Sequence, residues 1–220
     1  MIRHAARAVP WAVIALGIGL VPLLLLIVER WPYAMWPLQG TAVGVLAATT
    51  AWCFDEPAAA VVDTLPRHLG WRTAARCAGV LLIVAGWVLT LVATSDGFFG
   101  HAVDVGWQGA AAVILTVAVV TWRRSRGAAT PARAVAATAV PVAMFVALVR
   151  PIEDRLPLFP FTSTGDWATS RLLWTSAVLV AIGILIAVIS SRLANPPGHV
   201  GTTKEVCRHF SERQRIRGRA

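Results

Sequence analysis

Six stretches of this chain, roughly residues 10–28, 36–54, 75–95, 104–122, 134–149 and 171–191, contain no Asp, Glu, Lys or Arg except at their edges. A bilayer core takes about 20 apolar residues per helix. Backbone polar groups in lipid must also be satisfied within the segment, and a helix does this. The pattern predicts an all-α integral membrane protein with six transmembrane helices. The fifth stretch is short and Ala-rich, so its ends are the least defined. Composition points the same way. Of the 220 residues, 57% are hydrophobic and only 14% charged, against roughly 25% charged in an average soluble domain. A single transmembrane domain is expected over 1–195, followed by a basic cytoplasmic tail over 196–220.

An even number of spans puts both termini on one side, and arginine placement selects it. Sixteen of the 20 basic residues fall on the side of the termini, in residues 1–9, 55–76, 123–133 and the tail. The other four are Arg30, Arg150, Arg155 and Arg171. Basic residues stay in the cytoplasm, so both termini are expected there, with the chain multi-pass in the plasma (inner) membrane. Trp11, Trp52, Trp71 and Trp122 then fall near the inner interface, and Trp31, Trp36, Trp107, Trp167 and Trp174 near the outer one. Only Trp87 lies well inside a span, where it is expected to pack between helices.

The net charge of +9 is thus a topology signal. It flanks apolar spans, and no nucleic-acid partner is expected. The tail "KEVCRHFSERQRIRGRA" suits either an inner-surface helix held by anionic lipid or a solvated segment. Cys53, Cys77 and Cys207 are odd in number and on the reducing side, so no structural disulfide is expected. Cys207 and His209 lack the second ligand pair of a zinc site. The first span runs into "IVERWPYAMW" without a small-residue cleavage site, and is read as retained.

Several activities lack their residues. There is no G-x-x-x-x-G-K-[ST] loop to cradle a nucleotide. No ionisable relay lies deep in a span, as proton-coupled carriers use. Paired intramembrane histidines for haem are missing. His101 and Asp104 sit close together without a nucleophile or third ligand, and read as ordinary surface groups. No catalytic, cofactor-binding or metal-binding residue is expected, and the chain is not expected to be an enzyme. Gly40 and Gly44 form a G-x-x-x-G in the second span, suited to close helix approach and read as internal packing rather than a dimer contact. The segment 150–171 is rich in Pro and aromatics, and suits either a short surface or re-entrant element or a solvated loop.

The connection "FDEPAAAVVDTLPRHLGWR", residues 54–72, is the most patterned polar stretch. Asp55 suits an N-cap, Glu56 favours the positive helix end, and Pro57 fits a first turn. Ala58, Val61, Val62 and Leu65 repeat at i, i+3, i+4 and i+7, and Pro66 ends the run. A cytoplasmic helix of about ten residues is predicted there, with Arg67, His68, Arg72 and Arg76 at the level of the phosphates.

The run "DEPAAAVVDTLPRHLGWRTAAR" resembles the connection between spans two and three of ABC-2-type transporter permeases. That family shows an acid, a small apolar helix, a Leu-x-Thr-Pro or similar close, and basic residues entering span three. Here the close is "DTLP", with Thr64 and Leu65 in swapped order. The six spans, the cytoplasmic termini and the larger external segment before span six are also similar. The amphipathic helix that opens the family has only "MIRHAARAVP" as a counterpart. The resemblance implies a permease subunit that exports an apolar or amphipathic substrate. It implies a second permease copy or a homologous permease subunit, and a separate ABC ATPase subunit that holds ATP and Mg. The chain itself would need no cofactor. The implied docking residues on the coupling helix are Asp55, Glu56, Val61, Val62, Asp63, Thr64, Leu65 and Arg67. The residues alone also fit an accessory or scaffold membrane subunit with no pathway of its own.

Overall fold

The computed structural model describes residues 11–31, 33, 35–55, 69–128, 130–149, 156–160 and 166–194. They form six α-helices: α1 (Trp11–Arg30), α2 (Met35–Cys53), α3 (Leu69–Ala93), α4 (Ala102–Ser125), α5 (Pro131–Val149) and α6 (Trp167–Ala194). A 3-10 turn, Ser95–Phe98, follows α3, and no strand occurs among the described residues. Each helix covers one of the six apolar stretches. Each extends past its stretch at one end or both, α3 and α6 the furthest, because hydropathy marks only the part suited to lipid while backbone hydrogen bonding continues beyond it. Thus α3 starts at Leu69, well before residue 75, and α6 runs from Trp167 to Ala194.

Five of these helices are long and apolar enough to cross a membrane: α1, α3 from Arg76, α4, α5, and α6 to Ser191. They fit a multi-pass membrane protein. The helix outside that set is α2, and its place in the bundle explains why. It touches α1, α3, α4 and α5, and its side chains from Ala42 to Ala47 are all buried. A helix enclosed by protein need not be apolar all round, and α2 carries Gln39, Thr49 and Thr50 in buried positions. The outward faces of the other helices are apolar and exposed, with Leu16 and Leu23 on α1, Leu81 and Leu89 on α3, Phe145 on α5, and Leu172 and Leu179 on α6.

Association inside lipid rests on close packing and interhelical hydrogen bonds, since the surrounding tails are as apolar as leucine. The chain achieves closeness with small residues. A Cβ added to Gly40 would lie 2.5 Å from the Ala147 Cβ, and one added to Gly44 would lie 2.8 Å from the Ala143 Cβ. The G-x-x-x-G of α2 is therefore used within the chain, against alanines four residues apart on α5. Gly17 admits Thr49 in the same way between α1 and α2. Gly109 of α4 admits Trp87 of α3, whose indole Nε1 donates to the Gly106 carbonyl at 3.4 Å. Trp87 thus packs between helices, as its depth in the span predicts.

Three buried threonine hydroxyls bond to their own helices, while the buried Thr50 Oγ1 has no hydrogen-bond partner. Thr49 donates to the Val45 carbonyl at 2.8 Å, and Thr90 and Thr94 donate to carbonyls one turn earlier. This supplies partners without spending interhelical bonds. The turn after α3 lies on the end of α1, with Gly97 against the Glu29 backbone and Phe98 fully buried.

The chain divides into two compact units, Met1–Leu185 and Ile186–Ala220. Of the second, the described part is the last two and a half turns of α6, where Ser191 donates to the Val188 carbonyl at 2.9 Å. Within 150–171, residues 156–160 are non-helical, with Phe159 and Pro160 buried; positions 150–155 and 161–165 lie outside the described residues.

Candidate functional site

One end of the bundle is where α2 finishes and α3 and α5 start. Of the docking residues read from the sequence, only Asp55 lies there within the described residues. Glu56, Val61, Val62, Asp63, Thr64, Leu65 and Arg67 lie outside them, as does the expected coupling helix. The Asp55 side chain is 7% exposed, and Arg133 Nε of α5 meets its carboxylate at 3.2 Å. The Arg133 guanidinium also stands 5.9 Å from the centre of the Trp52 ring. A cation near the face of an indole and beside a carboxylate is held from two sides.

Arg76 has a role inside the bundle. It is 5% exposed, and its Nη1 donates to the Phe54 carbonyl at 3.2 Å. The last carbonyls of a helix have no intrahelical donor, and a cation at that end also meets the negative end of the helix dipole. Arg76 of α3 therefore closes the end of α2. Two arginines, one from α3 and one from α5, fasten the point at which α2 runs into the segment 56–68.

At the opposite end, Asp104 corrects an expectation. It is not an ordinary surface group: it is 7% exposed in the first turn of α4. Arg171 of α6 grips its Oδ1 with Nε at 2.8 Å and Nη2 at 2.6 Å, and His101 Nδ1 lies 3.1 Å from its Oδ2. The His101 ring stacks on Trp167 at 4.3 Å between centroids. One carboxylate thus joins the start of α4 to the start of α6.

One turn deeper lies a buried polar layer. Gln39 Nε2 of α2 donates to Gln108 Oε1 of α4 at 2.5 Å, Gln108 Nε2 donates to Ser170 Oγ of α6 at 3.1 Å, and Ser170 Oγ donates to the Leu158 carbonyl at 3.2 Å. Trp174 Nε1 reaches the same carbonyl at 3.0 Å. The three side chains in line are essentially buried. Gln39 Oε1 has no hydrogen-bond partner. A buried polar atom without a partner costs about 1–3 kcal/mol.

Below the layer a cavity of about 260 Å³ opens between α2, α4 and α5. Its walls include Val43 and Ala47 of α2, Ala112 and Val119 of α4, and Val142 of α5, with Leu158, Phe159 and Trp174 at the end next to the polar layer. Apart from the Thr116 hydroxyl and the Trp174 indole N–H, every side chain on these walls is hydrocarbon.

Gln39, Gln108 and Ser170 were not singled out by the sequence, Asp104 was read as a surface group, and Arg171 entered only as an outer-side charge. A signal for two of them, Asp104 and Gln108, was present: Asp104, Gln108, Ala112 and Thr116 recur every four residues, a partly polar stripe on an otherwise apolar span. Among the described residues no group of three or more His, Cys, Asp or Glu gathers in a way that would hold a metal. No protein-family model, no curated protein and no solved structure matches this chain.

Proposed function

We propose that this chain is the membrane-spanning permease subunit of an ATP-driven transporter of the ABC-2 type. It sits in the plasma membrane with six spans and cytoplasmic termini, and exports an apolar or amphipathic substrate. Its energy comes from a separate ATPase subunit docked on 55–66, and a second permease copy or homologue completes the pathway. The choice of family rests on the resemblance of residues 55–76. The observation that carries a transport role is the position of α2. This helix lines the apolar cavity with Val43, Gly44 and Ala47, and it ends at Phe54–Asp55, where Arg76 and Arg133 tie it to α3 and α5. A push on the segment that follows is delivered to α2 and to its small-residue seam with α5. Packed helices respond to such a push by shifting between discrete arrangements.

A second reading, an accessory membrane subunit without a pathway, is favoured by one contact. Asp55, a proposed docking residue, is already paired with Arg133 inside the chain. Affinity purification in mild detergent separates the two. The permease reading expects an ATPase subunit with a P-loop, lost on Val62→Asp or Leu65→Asp while helical content by circular dichroism is kept. If both variants retain the ATPase at the wild-type level, docking on this segment is wrong. Recovery of envelope-synthesis or respiratory proteins without an ATPase establishes the accessory role.

A further inference from the structure

Three arginines of the bundle are used inside the chain. Arg76 closes the end of α2, Arg133 pairs with Asp55, and Arg171 pairs with Asp104. The end of α4 is different, because its last carbonyls are satisfied by the backbone. The Gly127 N–H donates to the Arg124 carbonyl and the Ala128 N–H to the Arg123 carbonyl, both at 3.1 Å. Gly127 adopts the left-handed φ of +83° that this closure requires. The arginine side chains are therefore not needed as caps. Arg123 and Arg126 are both exposed, and among the described residues neither guanidinium meets a carboxylate or donates to a carbonyl. Arg124 between them is half-buried and already engaged. The Arg126 guanidinium stands 5.4 Å from the centre of the Trp122 ring, and that indole is itself 42% exposed.

Depth decides what these groups face. The 24 residues of α4 extend about 36 Å at about 1.5 Å each, against about 30 Å of hydrocarbon. The last turn therefore leaves the core, with Trp122 at its boundary and the two arginines in the headgroup layer. We propose that Arg123, Arg126 and Trp122 form a binding site for the head of an anionic phospholipid, such as phosphatidylglycerol. A guanidinium fork matches two phosphate oxygens. Residues three apart on a helix are neighbours, so the two arginines flank one phosphate, while the indole rests on the glycerol and the first methylenes. A zwitterionic head brings its own ammonium, which competes for the phosphate and repels the arginines. A head with net negative charge lacks that competitor, so the site discriminates by charge. Free phosphate would meet the arginines and leave the indole without a role. The site rests on neither the permease reading nor the accessory one.

The test uses the full-length protein in phosphatidylcholine vesicles without any ATPase. A minor fraction of the lipid carries dibrominated chains, as either phosphatidylglycerol or phosphatidylcholine. Bromine quenches indole fluorescence near contact, and subtraction of the Trp122→Phe signal isolates Trp122. Brominated phosphatidylglycerol is expected to quench that signal about threefold more than brominated phosphatidylcholine. Arg123→Gln with Arg126→Gln removes the preference, and quenching by brominated phosphatidylcholine, which follows depth, stays as in the wild type. Each single substitution reduces the preference in part. Equal quenching by the two lipids overturns the site, and so does a preference that survives the double substitution. Loss of the preference on adding inorganic phosphate, beyond the effect of sodium chloride at equal ionic strength, assigns the arginines to free phosphate and overturns the lipid. None of these outcomes bears on ATPase docking, since no ATPase is present.

Discussion

Asp55 illustrates how much a single partner decides. Its carboxylate is almost fully buried, and a buried carboxylate without a counter-charge is costly. Arg133 removes that cost at 3.2 Å, although more than half of its own side chain is exposed and water weakens the attraction. Arg133→Gln is therefore expected to lower stability by about 1–2 kcal/mol, chiefly by orphaning Asp55. Asp55→Asn in that background should recover part of the loss. Denaturation of the detergent-solubilised protein by increasing SDS fractions measures both, and equal losses for the single and double variants would show that the pair is not coupled. Asp166 makes a different case at the start of α6. The Thr169 hydroxyl and then its backbone N–H hold the carboxyl below the usual aspartate range, the N–H at 3.0 Å. The carboxylate cap therefore contributes fully above the ordinary aspartate value near pH 4, and its contribution is lost as pH falls through the lower folded value. The hydrogen-exchange protection of the Thr169 amide, relative to its intrinsic rate at each pH, should fall across that acidic window, and Asp166→Asn should flatten the change.

The helices were legible as elements because lipid imposes a length and a composition on each span. Even α2, with its glutamine and threonines, was found from the length of its uncharged run. Its role as the enclosed helix was not legible, because enclosure depends on neighbours far away in sequence. The same holds for the polar contacts. Gln39 and Gln108 lie 69 residues apart, Asp55 and Arg133 lie 78 apart, and no local spacing links either pair. The small-residue seam was legible on the α2 side as G-x-x-x-G, while its alanine counterpart on α5 resembles any Ala-rich helix. Gly109 was the least visible of these positions, since nothing in its sequence neighbourhood announces Trp87. A Cβ there would come within 2.4 Å of the indole. Gly109→Ala should push α3 and α4 apart and cost about 1–3 kcal/mol. Trp87→Phe removes the offending ring edge and should make the alanine less harmful than in the wild-type background. Strict additivity in the same SDS titration would mean that the two residues do not share the contact.

At the scale of the molecule, α2 links the two polar ends through the cavity. Its Asp55 end is tied to α3 and α5, and its Gln39 end joins α4 and α6 through the amide layer. Under the permease reading, force entering at 56–68 has a continuous path to that layer, and a substrate leaving the cavity on the outer side must part it. The Gln39–Gln108 contact is the member that connects α2 to the other side of the layer, so holding it closed should stop export without disturbing the far end. In a chain with Cys53, Cys77 and Cys207 replaced by Ser, Gln39→Cys and Gln108→Cys can be joined by a short bifunctional methanethiosulfonate. The expected result is loss of transport in proteoliposomes with ATPase binding unchanged, and recovery on reduction with dithiothreitol. Transport that continues at the unlinked rate would place the exit elsewhere. The amide layer would then be a rigid strut, which is the role an accessory subunit requires of it.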